Sequence, residues 1–471
     1  GKTAVLVERT KRLAASGVNP KQILIISFSN EAKDNLLKRM GDLNVCIKTF
    51  HGLAYCIVKK FNKDVKLWEQ SWEKERVIAE SVSKLGFKTE DIDYFSVYKY
   101  IAHQKFNLRY PEDAIETDEM PYELEQMRVI YSDYEKHKKE KNLIEFDDMV
   151  MMAVEYLEND PTSLELYQNL IKYCMVDEFQ DTSTDQIRFL QMLTEKNKNL
   201  MVVGDPRQGI YGFRGANTKY ITYFDKYFPG ASYINMNTNY RSTQEIIGFS
   251  NIIARDDSSS KTDSYEDSVT PNVQGVAPVI LETKGICNHI KTYLDKGYSY
   301  KDMFILTRTN AELQDFEASL SVEGIPYRTY NGRSFLDSPE IKVLTSYLLL
   351  SDDLKDNDSF IYIMNRPSRF LAKATLNRIK DESLFNGLMS LAKEDWKLKR
   401  AANDIHYVIN TLRTNHFDNV GKMIHYIRHT LDLDNYVKKE QTDTDNRVEN
   451  MNKFEKLAVR AFDYAGNFSD P

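Results

Sequence analysis

Two stretches carry the reading of the fold: CMVDEFQDTSTDQ (residues 174–186) and VVGDPRQGIYGFRGA (residues 202–216). Each opens as an apolar run and ends in acid, Asp177-Glu178 in the first and Gly204-Asp205 in the second. A strand that is apolar throughout, rather than alternating, belongs in a parallel sheet buried on both faces. Ligands of such sheets bind outside the carboxyl ends of the strands, where these acids fall. In phosphoryl transfer one carboxylate holds Mg²⁺ and its neighbour orients or deprotonates the attacking water. Taken alone, Asp-Glu reads equally well as a strand end before a helix cap. The second stretch shifts that balance, because Gln208 lies just ahead of Tyr211, Phe213 and Arg214, with Gly209, Gly212 and Gly215 set among them. A glycine-rich loop with one end on nucleotide and the other on stacked bases fits this better than two core aromatics do.

Working outward, further apolar runs are expected as strands: QILIISFS from Gln22, ASYINMN from Ala231, APVILET from Ala277 and DMFILTRT from Asp302. Helical patterns follow two of the runs, NEAKDNLLKRM after the first and STDQIRFLQMLTE after Asp177-Glu178, the rhythm of an α/β fold. Residues 59–170 read as a helical insertion with no convincing strand, and residues from about 340 onward are again helical. The polar, acidic segment 255–275 reads as an exposed loop or linker.

A chain of 471 residues with 42% hydrophobic and 28% charged residues is expected to hold two to four globular domains. No apolar run is long enough to cross a bilayer and the first residues do not read as a signal peptide, so a cytoplasmic protein with no membrane partner is expected. Cys46, Cys56, Cys174 and Cys287 form no C-x-x-C pair and are expected to be reduced core thiols. The net charge of -7 argues against a surface basic all over, while leaving room for a local basic groove.

The chain begins GKTAVLVERT. Gly1-Lys2-Thr3 matches the end of a phosphate-binding loop, yet the tripeptide alone arises by chance about once in every few chains of this size. Its weight comes from the other parts of a nucleotide site further along.

Together, VDEFQDTS, VVGDPRQGIYGFRGA and NTNYRSTQEII resemble, in order, motifs II, III and IV of the UvrD/Rep family of superfamily 1 DNA helicases. ISFSNEAKDNLLKRM and IKTFHGLAYCIV are similar to the family's motif Ia and its Thr-Phe-His segment, and residues 305–348 are similar to a stretch of its second motor domain. The resemblance implies an α/β fold of P-loop, RecA-like motor domains with parallel sheets, plus two largely helical inserted subdomains. The expected boundaries are 1–58 and 171–236 for the first motor domain, 59–170 for its insertion, 237–345 for an incomplete second motor domain, and 346–471 for an incomplete helical subdomain.

The family's roles fall on these positions as expectations. ATP and Mg²⁺ are the implied cofactors. Gly1, Lys2 and Thr3 would hold phosphates, with Thr3 and Asp177 on Mg²⁺; Glu178 would be the base and Gln208 the γ-phosphate sensor. Tyr240 would stack on adenine, and Arg241 would reach the γ-phosphate as an arginine finger in cis. For DNA, the resemblance nominates Phe28, Asn30, Thr49, His51, Tyr211, Phe213 and Arg214, with Arg308 and Asn310 as weaker candidates. The implied partners are single-stranded DNA and single-strand/duplex junctions, with a loading or nuclease protein as a further partner. The implied activity is 3′ to 5′ translocation and unwinding. A motor subunit of a helicase-nuclease or defence complex, and a binding module without turnover, are the alternatives.

Several positions depart from the family pattern. Ala4 stands where relatives usually carry Arg, Phe213 where many have Trp, and Phe370-Leu371-Ala372 where a Gly-Ile-Gly is usual. No counterpart of motifs V and VI is found, so this chain is expected to be part of a longer protein, cut at both ends.

Overall fold

The computed structural model describes residues 1–89, 92–236, 238–254, 261–262, 279–330, 335–379, 381–439 and 444–466. The chain divides into two compact units, Gly1–Asn272 and Val273–Pro471.

In the first unit, helix α1 (Lys2–Ala15) precedes strand β1 (Ile23–Ser27), helix α2 (Asn30–Met40), strand β2 (Cys46–Thr49) and helix α3 (Phe50–Phe61). A helical stretch follows, with strand β3 (Lys66–Leu67), helices α4 (Ser71–Lys84), α5 (Tyr94–Phe106) and α6 (Leu124–Lys141), strand β4 (Leu143–Ile144), and helices α7 (Phe146–Asn159) and α8 (Pro161–Leu170). The chain then returns as strand β5 (Tyr173–Val176), helix α9 (Thr184–Thr194) and strand β6 (Leu200–Val202). The four longer strands form one parallel sheet in the order β2-β1-β5-β6, with Ile25 opposite Ile47 and Met175, and Met175 opposite Met201.

Alternation along these strands feeds two cores. Leu24, Ile26, Cys174 and Val176 pack with Ile57 of α3, Ala153 of α7 and Leu190 of α9. Ile23, Ile25 and Met175 pack on the other face with Leu6 of α1 and Leu36 of α2. Every residue of β1 is buried, which is why the run carries no polar alternation. Because all four strands run the same way, their carboxyl ends share one edge, and Phe28, Thr49, Asp177 and Asp205 all fall just at or beyond it.

The helical stretch has its own core around Trp68, Ile78, Tyr100, Ile130 and Tyr134. It differs from expectation in one respect: β3 and β4 pair in parallel, Lys66 with Leu143 and Leu67 with Ile144. Two-residue strands are too short for any apolar pattern to announce them.

Three expected strands are not strands. Residues 231–236 are extended without a ladder, and Tyr233, Ile234 and Met236 are exposed; Asn237 lies outside the described residues. Strand β7 (Thr238–Asn239) instead pairs with strand β8 (Lys261–Thr262), the two described residues of the segment read as a linker. In the second unit the run at 277–283 is helical from Val279, in a helix that continues to Asp295 and packs through Cys287 and Ile290. A short apolar run cannot be told from a buried helix by periodicity alone. Residues 303–307 alternate Met303 and Ile305 inward with Phe304 and Leu306 outward, but no described strand pairs with them.

The rest of the second unit is helical as expected, with helices Pro339–Asp352, Leu384–Glu394, Trp396–Thr414 and Val420–Thr430 around Leu344, Tyr347, Phe360, Ile405 and Ile424. Of the cysteines, Cys174 and Cys287 are buried thiols, whereas Cys46 is half-buried and Cys56 is exposed on α3, correcting their assignment to the core. Among the described residues no helix is long and apolar enough to cross a membrane.

Candidate nucleotide and nucleic-acid site

Helix α1 begins at Lys2 with Gly1 as its N-cap residue, which sets the positive end of the helix dipole beside the acid edge of the sheet. Lys2 Nζ donates to Glu178 Oε2 at 2.6 Å and to Gln208 Oε1 at 3.1 Å. Thr3 Oγ1 donates to Asp177 Oδ2 at 3.3 Å. Residues separated by up to 206 positions thus meet at the carboxyl edge of the sheet.

Glu178 sits in the left-handed region, at φ +50° and ψ +49°. Such a conformation costs a non-glycine residue on the order of 1–3 kcal/mol and persists only where the surroundings enforce it. Here they do: the Asp177 N–H donates to Ile26 O at 2.9 Å and the Phe179 N–H to Val203 O at 3.0 Å, clamping both sides of Glu178 to neighbouring strands. Burial, and then the charge of Glu178, push the Asp177 carboxyl above the usual carboxylate range. Thr3 Oγ1 and Asp177 Oδ2 are two hard oxygen donors side by side with a second carboxylate next to them. That donor set fits Mg²⁺, which takes one or two protein oxygens and fills its shell with phosphate and water.

Gln180 and Asp181, which sequence reasoning missed, complete this cluster together with Asp205, the acid read at the end of the second stretch. Gln180 is buried and donates from Nε2 to Glu178 Oε2 at 2.9 Å and to Asp181 Oδ2 at 3.3 Å, while its Oε1 accepts the Asp205 N–H at 2.9 Å. Asp205 Oδ2 accepts from Gln208 Nε2 at 3.0 Å. Asp181 has its carboxyl pushed up to about 6 by burial and then by the charge of Glu178. A glutamine two residues past an acid pair was the available signal, but its partner is 25 residues away in the loop that leaves the adjacent strand.

The aromatic candidates form a second cluster, with Tyr211, Phe213 and Arg214 on the loop that carries Gln208, and Phe28 just past β1. Phe28 lies 4.7 Å from Tyr211 between ring centroids, and Tyr211 lies 5.9 Å from Phe213. The Arg214 guanidinium covers both, 5.4 Å from the Tyr211 ring and 5.6 Å from that of Phe213. Phe213 is 57% exposed, so it is not a core residue. Gly215 ends the turn at φ +78°, and a Cβ there would lie 2.7 Å from Phe106 Cβ, so both the backbone and the space call for glycine.

His51 is half-buried, and burial followed by the nearby charge of Arg214 holds its imidazole below the ordinary value, favouring the neutral ring. Its ring lies 6.5 Å from that of Phe146, which is 60% exposed at the start of α7. Phe146 was missed because it opens an apolar helix and reads as core. Thr49 Oγ1 accepts the Gly52 N–H at 3.0 Å and so caps α3. Asn30, at the start of α2, accepts from Lys33 Nζ at 3.1 Å.

Other candidates are not brought to these clusters. Tyr240 and Arg241 are exposed, and among the described residues no hydrogen bond, ion pair or ring contact joins either side chain to Lys2, Glu178 or Gln208. The Arg241 N–H donates to Asn239 Oδ1 at 2.8 Å, shaping a turn. Arg308 and Asn310 stand at the start of a helix, Asn310–Val322, rather than at a strand end, and the Arg308 N–H donates to Glu312 Oε2 at 2.9 Å.

Residues 1–229 match the UvrD/REP helicase N-terminal domain, and residues 234–463 match the UvrD-like helicase C-terminal domain. A protein named ATP-dependent DNA helicase PcrA from Staphylococcus aureus strain Mu50 is 31% identical over 407 residues, covering 82% of this chain and 55% of that protein. Its namesake from Staphylococcus epidermidis is 28% identical over 480 residues, covering 96% of this chain and 66% of that protein. The chain thus spans little more than half the length of the first of these relatives.

Proposed function

Since this chain belongs to the UvrD/REP helicase family, we propose that it is the ATP-driven part of a motor that moves along single-stranded DNA in the 3′ to 5′ direction and unwinds duplex. One observation carries this reading: a single loop supplies Gln208 to the Lys2–Glu178–Gln208 cluster and Tyr211 and Phe213 to the Phe28–Tyr211–Phe213 ladder.

Lys2 and the amino end of α1 hold the β- and γ-phosphates. The triphosphate draws the Lys2 ammonium from Glu178, leaving that carboxylate to orient and deprotonate the attacking water. Thr3 and Asp177 would hold Mg²⁺, which would supply positive charge to the triphosphate. Gln208 contacts the γ-phosphate, Tyr240 stacks on adenine, and Arg241 reaches the γ-phosphate from the second motor domain. Phe28, Tyr211, Phe213 and Phe146 stack on bases without choosing sequence, while Asn30, Thr49, His51 and Arg214 hold the backbone. The division into two motor domains with helical insertions at the expected boundaries, and work in the cytoplasm beside a loading or nuclease partner, belong to the same proposal.

The test is ATP hydrolysis by the full-length protein with and without single-stranded DNA, together with strand displacement on a 3′-tailed duplex. Stimulation by DNA, and its loss in Glu178→Gln by more than about a hundredfold, is expected. An ATPase indifferent to DNA would overturn the motor reading, and unchanged turnover in Glu178→Gln would leave a binding module.

A further inference from the structure

The polar side chains around Glu178 close into a ring. Lys2 Nζ bonds Glu178 Oε2 (2.6 Å), Glu178 Oε2 accepts from Gln180 Nε2 (2.9 Å), and Gln180 Oε1 accepts the Asp205 N–H (2.9 Å). Asp205 Oδ2 then accepts from Gln208 Nε2 (3.0 Å), whose Oε1 returns to Lys2 Nζ (3.1 Å). Two members join the end of β5 to the loop leaving β6: Lys2, which reaches Glu178 and Gln208 from α1, and Gln180, which does so from inside the protein, at 2% exposure.

Resting on the reading of Glu178 as the base, we propose that Gln180 is a positioning residue that couples the aromatic loop, residues 205–215, to the Glu178 carboxylate. The chemistry of the amide makes the link directional. Its NH₂ faces two carboxylates, Glu178 and Asp181, and its oxygen faces an N–H. Turning the amide over would set oxygen against carboxylate and NH₂ against N–H, so only one orientation satisfies every neighbour.

The amide is also sterically tied to the loop. A Cβ on Gly204 would lie 2.7 Å from Gln180 Oε1, and one on Gly209 would lie 2.4 Å from Thr218 Cγ2. The backbone before Asp205 is therefore packed directly against the Gln180 amide, and the backbone after it is packed against Thr218. Two residues beyond Gly209 stands Tyr211, packed on Phe28 and Phe213. A base stacked on that ladder biases the loop, the loop sets the Asp205 N–H, and the Asp205 N–H sets the amide that orients Glu178. Such a contiguous set of packed and hydrogen-bonded groups is the physical route by which one site can bias another.

The experiment compares wild type, Gln180→Met and Gln180→Glu in the full-length protein, measuring ATPase with and without oligo-dT and oligo-dT affinity by fluorescence anisotropy. Gln180→Met keeps the buried volume and removes every polar link. Gln180→Glu keeps an acceptor for Asp205 but sets a charge against Glu178. In both, the ratio of DNA-stimulated to basal turnover is expected to fall at least about fivefold, with oligo-dT affinity unchanged. A residue serving only stability would lower both rates together and leave the ratio alone, and a wild-type ratio in both variants overturns the proposal. Glu178→Gln runs alongside. If it retains turnover, the reading of the base has failed; if it is dead while the Gln180 variants keep the full ratio, only the coupling has failed.

Discussion

At the scale of single residues, Phe213 and Phe370 are both aromatic residues held out in solvent, and they mean different things. Phe213 stands in a ladder with Tyr211 and Phe28 beneath the Arg214 guanidinium, an arrangement suited to receiving a base. The Tyr211→Ala, Phe213→Ala double variant should weaken single-strand binding by a few kcal/mol, at about 1–3 per stacked base, and a titration showing unaltered affinity would remove these rings from the DNA track. Phe370 is 95% exposed, with a φ of +58°. Its neighbours impose that conformation: Asn365 exchanges two hydrogen bonds with the Leu371 backbone, at 2.7 and 2.9 Å, and Arg369 Nη2 donates to the Tyr347 hydroxyl at 2.8 Å. A left-handed L-residue costs roughly 1–2 kcal/mol, while a glycine there gives back roughly half of that in unfolded-state entropy. Phe370→Gly should therefore stabilise the second unit by about 0.5–1 kcal/mol and raise its urea midpoint accordingly, and Phe370→Ala, which keeps the strain, should not. Equal midpoints for the two variants would contradict the strain argument.

At the scale of elements, helix α9 carries a charge that folding disfavours. Asp185 is buried in its first turn, in contact with the Ser183 hydroxyl, and burial pushes its carboxyl from the ordinary 3.8 up to about 7. Because the folded-state value is the higher one, the contribution of Asp185 is fully present below pH 3.8 and is lost as the pH rises through about 7. Asp185→Asn imitates the neutral form. Its stability relative to wild type should grow between about pH 4 and 7, by up to about 1.4 kcal/mol per pH unit, and then level off. Urea titrations at pH 5 and pH 8 measure this, and the same gap at both would refute it. The first turn of α7 solves the same problem differently. Asp148 is buried yet ionised, because Lys105 and Lys138 lie 2.7 and 2.6 Å from its Oδ1 and hold its carboxyl far below the usual range despite burial.

At the scale of the whole molecule, legibility in the sequence followed the range of the interactions concerned. Strands β1, β5 and β6 could be read because each packs against a core on both faces, fully in β1 and partly in β6, so that local composition carries the tertiary fact. Helices α2 and α9 could be read from their caps and their spacing of apolar residues. The runs at 277–283 and 302–309 could not, since an apolar stretch becomes a strand only if a neighbour pairs with it, and no described neighbour does. The candidate site divides in the same way. Asp177, Glu178, Gln208 and the aromatic loop stand out because acids and glycines mark where strands end. Gln180 and Phe146 were silent, because what distinguishes them is a partner, Asp205 in one case and His51 in the other, brought near by the sheet and by the packing of α7. The amino-acid sequence by itself therefore determined the family, the parallel α/β class and the order of the motifs, all of which rest on local chemistry repeated along the chain. Only the tertiary structure decided that Lys2, 176 residues from Glu178, meets it at 2.6 Å, and that Gly1-Lys2-Thr3 lies at the start of a helix beside the acid edge. Distances of that kind are set by which strands lie side by side, and adjacency in a sheet is not written at any one position.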